Sequence, residues 1–186
     1  MTGGRSTRFG SDKSQARLGK NSLIEELLAT LPQDIEIIIV GPQLQNASRA
    51  ARYTHEDPLG GGPVAAIHAG LDLVDTEFVA VIATDIPFAN SILAELTKNF
   101  PISVDATIPL DKEGVRQTLC ALYRVDSLRQ AITNIGNPEN QSMRALCDLL
   151  KVNELQLEPQ LERNLIDIDT PSDLEQAITL GQELKG

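Results

Sequence analysis

Short, unbroken apolar runs alternate along this chain with stretches in which apolar residues recur every three or four positions. IEIIIV (35–40), but for Glu36, and FVAVIA (78–83) are of the first kind. Turn residues follow each, Gly41-Pro42 after one and Thr84-Asp85-Ile86-Pro87 after the other. A run without polar alternation suits a strand covered on both faces. DATIPL (105–110), TLCALYRV (118–125) and NLIDI (164–168) are weaker strand candidates. Helical spacing appears in SLIEELLATL (22–31), PVAAIHAGLDLV (63–74), NSILAELTKNF (90–100), DSLRQAITNI (126–135), SMRALCDLLKV (142–152) and PSDLEQAITLGQEL (171–184). The last of these has Thr170 as its expected N-cap and Pro171 at its first helical position. Alternation of this kind predicts an α/β protein, a mostly parallel sheet with helices on both faces. No repeat or linker interrupts it, so one domain over residues 1–186 is expected.

Composition narrows the classes. A chain of 186 residues can bury one sizeable core. Aromatic residues make up 3% and Trp is absent, so a surface for stacking nucleic-acid bases is poorly supplied. A formal net charge of -10 also opposes binding to nucleic acid or to an anionic membrane. The first residues carry no apolar signal region, and no run is long enough for a membrane helix. Cys120 and Cys147 lie in apolar context and have neither metal-ligand nor disulfide spacing. They read as buried free thiols, which suits a reducing, cytoplasmic location.

The charge is unevenly placed, and this changes the picture. Arg5, Arg8, Lys13, Arg17 and Lys20 face only Asp12 in the first twenty residues, a local balance of +4 that leaves -14 on the remainder. A basic, glycine-bearing stretch on an acidic protein reads as a small-anion site. Gly3 and Gly4 permit close backbone approach to a phosphate, Gly10 permits a further bend, and Arg5 and Lys13 supply charge. The stretch is not a Walker A loop, because Ser11-Asp12 separates Gly10 from Lys13. No G-x-G-x-x-G is present either.

Three later stretches add chemistry. Asp85 directly follows the FVAVIA run, where a carboxylate points into a ligand crevice and suits phosphate-bound Mg²⁺. Its competing reading is a helix cap before Pro87. Asp57 precedes Gly60, Gly61 and Gly62 and a helix start at Pro63. Those glycines allow close approach to a ligand, although loop flexibility alone also accounts for them. Asp167 and Asp169 stand just before the last helix, where capping and solvation is the plainer role for Asp167.

Taken in order, MTGGRSTRFGSDK, ED with GPVAAIHAGL, TDIPF and DIDTPSDL resemble the molybdenum cofactor guanylyltransferases, a MobA-like nucleotidyltransferase family. That family's loop reads L-A-G-G-x-S-x-R-M-G-x-D-K, matched here at Gly3, Gly4, Ser6, Arg8, Gly10, Asp12 and Lys13. The resemblance implies a single-domain three-layer sandwich with a Rossmann-like nucleotidyltransferase fold. It implies transfer of GMP from Mg-GTP to molybdopterin, with release of pyrophosphate and Mg²⁺ as cofactor. Molybdoenzymes or cofactor-carrier proteins would receive the product. By the same resemblance Thr2, Gly3 and Gly4 contact the nucleotide through the backbone, and Lys13 neutralises the triphosphate. Asp57 binds near the guanine or ribose, Gly62 and Pro63 line the nucleotide, and Asp85 holds Mg²⁺. Arg5 stands where the family often carries a basic residue and joins Lys13 and Asp85 as catalytic. No catalytic histidine is implied, so His55 and His68 read as structural.

This sequence departs from the family pattern in three places. The family has a hydrophobic strand immediately before the glycine loop, and this chain begins at the loop, so that first strand is expected to be missing from it. Asp167 and Asp169 stand where guanylyltransferases usually show Asn, a pattern closer to the cytidylyltransferases. Ala66 replaces a glycine, which narrows the base pocket by one methyl. The alternatives kept open are a molybdopterin cytidylyltransferase, another small-acceptor nucleotidyltransferase, and a noncatalytic nucleotide-binding relative.

Overall fold

Local capping and apolar spacing place the helices of the computed structural model, which describes residues 17–18, 21–45 and 47–184. Strands β1 (Arg17–Leu18) and β2 (Asn21–Ser22) pair antiparallel and lead into helix α1 (Leu23–Thr30). Ser22 caps α1: its hydroxyl accepts from the Glu25 N–H, and the Glu25 carboxylate accepts from the Ser22 N–H at 2.7 Å. The helix buries Leu23, Leu27 and Leu28.

Strand β3 (Ile38–Val40) pairs in parallel with β4 (Arg52–Thr54). Helix α2 (Pro63–Leu71), strand β5 (Phe78–Ile82) and helix α3 (Ala89–Lys98) follow. A four-stranded sheet then forms in the order β5-β7-β6-β8, from β5, β6 (Ala106–Leu110), β7 (Cys120–Arg124) and β8 (Val152–Gln156). Its pairings are antiparallel for β5 with β7 and β6 with β7, and parallel for β6 with β8. Strands β5, β6 and β8 therefore share one direction and β7 opposes them. The sheet is mostly parallel in strand direction, as expected; β7 is the exception, because the loop 111–119 joins β6 to β7 without a crossover helix.

Period-two alternation sends successive side chains to opposite faces. Ala121 and Tyr123 of β7 join one core with residues of α2, of α4 (Val125–Ile135) and of α5 (Met143–Cys147). Cys120 and Leu122 join the other, with residues of α1, α3 and β3. Helices thus cover both faces, giving three layers. Helix α6 (Pro159–Glu162) and a 3-10 turn at Arg163–Leu165 precede α7 (Pro171–Glu183). Ala177 and Leu180 of α7 pack with Leu18, Leu23, Phe88 and Ile168. An apolar cavity of about 910 Å³ is lined by both β3 and β5, the facing members of the two sheets.

Some elements differ from the sequence expectation. NLIDI is a 3-10 turn followed by irregular chain, not a strand. The SMRALCDLLKV helix stops at Cys147, and β8 begins at Val152. Both cysteines are buried and free as expected, and burial pushes the Cys120 thiol up to about 12. Among the described residues no helix is long and apolar enough to cross a membrane.

One polar tie between layers is pH-sensitive. Asp105 accepts from the Ser127 hydroxyl at 2.6 Å and from the Lys151 N–H at 2.9 Å, and these bonds hold its carboxyl below the usual range. A lowered folded-state pKa contributes stability above the unfolded value and loses it as pH falls through the folded value. Ser127→Ala is therefore expected to lower the urea midpoint at pH 7, with the gap to the parent closing below about pH 4. A gap that stays constant from pH 7 to pH 3 would assign the loss to packing instead.

Candidate functional site

Strand β5 ends at Ile82, and the chain turns before α3 begins. The Ala83 N–H donates to the Leu119 carbonyl at 2.7 Å, and the Ile86 N–H closes a turn on the Ala83 carbonyl at 3.2 Å. Asp85 sits half-buried inside that turn. Its backbone carbonyl accepts from the Ile168 N–H at 3.2 Å, which ties the segment before α7 alongside it. Ile168 is fully buried, while Asp167 is exposed and Asp169 half-buried, the alternation of extended chain. One carboxylate oxygen from each of Asp85, Asp167 and Asp169 consequently lies within 4.8 Å of the others.

The helix-cap readings of these aspartates do not hold. Helix α3 starts after Phe88 with no side-chain capping bond, so Asp85 is not its cap. Helix α7 is capped by Thr170, whose hydroxyl accepts from the Asp173 N–H at 3.2 Å. Asp173 in turn accepts from the Thr170 N–H at 2.7 Å and the Asp169 N–H at 3.1 Å. Gathering three carboxylates is electrostatically costly unless a cation or a donor offsets their charge. An all-oxygen donor set of this kind suits a hard divalent cation. Mg²⁺ takes one or two carboxylates and completes its shell with phosphate and water. The residues present fit such an ion.

A second feature lies at the start of α2. The chain leaves β4 at Thr54 and reaches Pro63 through a glycine turn. The Gly61 N–H donates to the Pro58 carbonyl at 2.9 Å, and the Gly60 N–H to the Glu56 carboxylate at 3.2 Å. A Cβ at Gly61 would meet the Pro58 carbonyl at 2.9 Å and the Ala65 Cβ at 3.0 Å. Gly62 is the N-cap of α2 at φ 90°, with no side-chain capping bond. The loop between α4 and α5 braces this turn, since the Asn140 N–H donates to the Gly61 carbonyl at 2.7 Å. The first N–H groups of α2, uncapped by any side chain, suit polar ligand groups. Asp57 is exposed at the entrance of the turn and is not part of the carboxylate set. Thr2, Gly3, Gly4, Arg5 and Lys13 lie outside the described residues. The structure thus brings together Asp85 with Asp167 and Asp169, and separately Gly62 and Pro63 with the loop that Asp57 opens.

A carboxylate cluster at the C-terminal end of a sheet strand, together with a glycine-bounded helix start, lies where open α/β sheets receive their ligands. A family model described as MobA-like NTP transferase domain matches residues 1–156. The chain belongs to this family. It is 31% identical over 188 residues to a protein of Chloroflexus aggregans named probable molybdenum cofactor guanylyltransferase, covering 94% of this chain and 89% of that one. Molybdopterin-guanine dinucleotide biosynthesis protein A from Archaeoglobus fulgidus has a similar structure, with TM-score 0.70, 23% identity, and coverage of 98% and 96%. The 2-C-methyl-D-erythritol 4-phosphate cytidylyltransferase of Thermus thermophilus shares the fold at TM-score 0.70 and 18% identity, covering 94% of this chain and 95% of that one.

Sequence reasoning singles out Asp85 for the metal, reads Asp167 as a solvated or capping residue, and gives Asp169 no metal role. The available signal was the Asp-x-Asp spacing beside a buried isoleucine.

Proposed function

We propose that this protein transfers GMP from GTP to molybdopterin, forming molybdopterin guanine dinucleotide and pyrophosphate in the cytoplasm. The observation that carries the reading is the meeting of Asp85 with Asp167 and Asp169 at the end of β5. In the reaction a terminal phosphate oxygen of the pterin attacks the α-phosphorus of GTP. The bond from that phosphorus to the β-bridging oxygen breaks, and its electron pair leaves with pyrophosphate. The attacking phosphate is already ionised near neutral pH, so no general base is required. His55 and His68, both exposed, are left without a catalytic role.

The protein's contribution is position and charge. Asp85, with Asp167 and Asp169 beside it, would hold Mg²⁺, which when bound offsets negative charge on the α-phosphate and on the departing pyrophosphate. Lys13 and Arg5 add positive charge along the triphosphate, and Thr2, Gly3 and Gly4 approach it through their backbone. Gly62 and Pro63 present the start of α2 to the nucleoside, with Asp57 reaching its base or ribose.

Transfer assays with each of the four nucleoside triphosphates and molybdopterin test the reading. GTP is expected to be the preferred donor. Preference for CTP would move the assignment to a cytidylyltransferase, the reading that Asp167 and Asp169 favour. Mg-dependent nucleotide binding without any transfer would leave a noncatalytic relative. A related prediction concerns charge at the two outer positions. Asp167→Asn with Asp169→Asn keeps an oxygen donor at each place, so kcat is expected to persist while half-saturation by Mg²⁺ rises about tenfold. An unchanged Mg²⁺ requirement would remove both residues from the site.

A further inference from the structure

We propose that Asn164 and Ser91 are a positioning pair that sets the spacing of the Asp85–Asp167–Asp169 cluster, and through it the affinity for a divalent cation; the proposal rests on reading that cluster as a cation site. Asn164 is 2% exposed, which is unusual for an amide side chain. Its Nδ2 donates to the Ser91 hydroxyl at 2.7 Å across 73 positions of sequence. Its Oδ1, also buried, meets no hydrogen-bond partner among the described residues. A buried acceptor left in that state is destabilising, and an apolar side chain of similar size would pack there without the penalty. Stability alone therefore gives no reason for an amide at this position.

Its place in the fold supplies one. Asn164 lies in the 3-10 turn three residues before Asp167, and Ser91 lies in the first turn of α3, six residues after Asp85. The Asn164–Ser91 bond and the Ile168–Asp85 backbone bond therefore connect the same two segments at two places, one at the carboxylates and one three residues before Asp167. One bond alone is a hinge, whereas two fix direction. Leu165 and Ile168 are buried and hold the segment at its depth, but apolar contacts are non-directional. The amide–hydroxyl bond is the directional tie that keeps Asp167 and Asp169 turned toward Asp85. A rotation of the segment about Ile168 would open the oxygen spacing that a small cation requires.

The test is Mn²⁺ titration followed by the loss of the free-ion EPR signal, with Tm measured in parallel on the parent, Ser91→Ala, Ser91→Thr, Ser91→Ala with Asn164→Leu, and Asp85→Asn. The doubly changed protein is expected to melt at or above the parent temperature and to bind Mn²⁺ about tenfold more weakly. Ser91→Ala is expected to weaken Mn²⁺ binding similarly, and Ser91→Thr, which keeps a hydroxyl, to restore parent affinity. Parent-like Mn²⁺ affinity in both Ser91→Ala proteins, whatever their Tm, overturns the pairing role while the cation site stands. Equal Mn²⁺ binding by the parent and Asp85→Asn overturns the cation-site reading itself, and with it this proposal.

Discussion

Asp85→Asn is expected to lower nucleotidyl transfer by about a thousandfold, the scale seen when an electrostatic contact to transition-state charge is removed. Asn is close to isosteric with Asp, and the Asp85 backbone carbonyl keeps its bond from the Ile168 N–H. The turn at the end of β5 should therefore survive. Added Mg²⁺ should stabilise the parent and not the variant, because only an ion that binds the folded state shifts its melting. Activity within tenfold of the parent would remove Asp85 from its assigned role. Lost activity with an equally lost fold would show a structural aspartate.

Leu128→Ala is expected to give the largest loss of stability, about 2–5 kcal/mol, because removal of a buried leucine costs its transfer energy and leaves a cavity. Leu128 is fully buried in α4, in the cluster that also holds Val64, Ile67 and Leu71 of α2 and Tyr123 of β7. For a chain of this size the expected fall in Tm is about 5–15 °C. The same helix layer braces the turn at Gly61 through Asn140, so KM for the nucleotide should rise as that layer loosens. Thermal melts and initial rates on one preparation read both effects. A Tm within about 2 °C of the parent would mean that this layer is not the stabilising core.

Helices were the most legible part of the fold. The Thr170 cap places α7 at its observed start, and the apolar spacing of SLIEELLATL places α1 within a residue of its own. Although it is not covered on both faces as such a run suggests, with Phe78 and Ala80 exposed and Val79, Val81 and Ile82 half-buried, strand β5 was legible as an apolar run. Arg52–Thr54 and Val152–Gln156 were not, because they are short, partly exposed and mixed in polarity, and only pairing with β3 and β6 makes them strands. The tail of SMRALCDLLKV kept helical spacing past the point where α5 stops, which hid β8. In the site, Asp85 could be read locally from its place after a strand run. Its partnership with Asp167 and Asp169 could not, since it depends on a backbone bond between residues 85 and 168 that are far apart in sequence. The basic loop holding Lys13 lies outside the described residues and rests on its sequence alone.

One magnesium–triphosphate is expected to be shared by the end of β5 and the amino-terminal basic residues. The most direct measurement is a crystal structure with Mg²⁺ and a GTP analogue whose α–β bridge cannot be cleaved. The account predicts a cation bonded to an Asp85 oxygen and to a phosphate oxygen, with the Lys13 Nζ on the same triphosphate. A nucleotide bound away from Asp85, or a Lys13 ammonium remote from its phosphates, would contradict it.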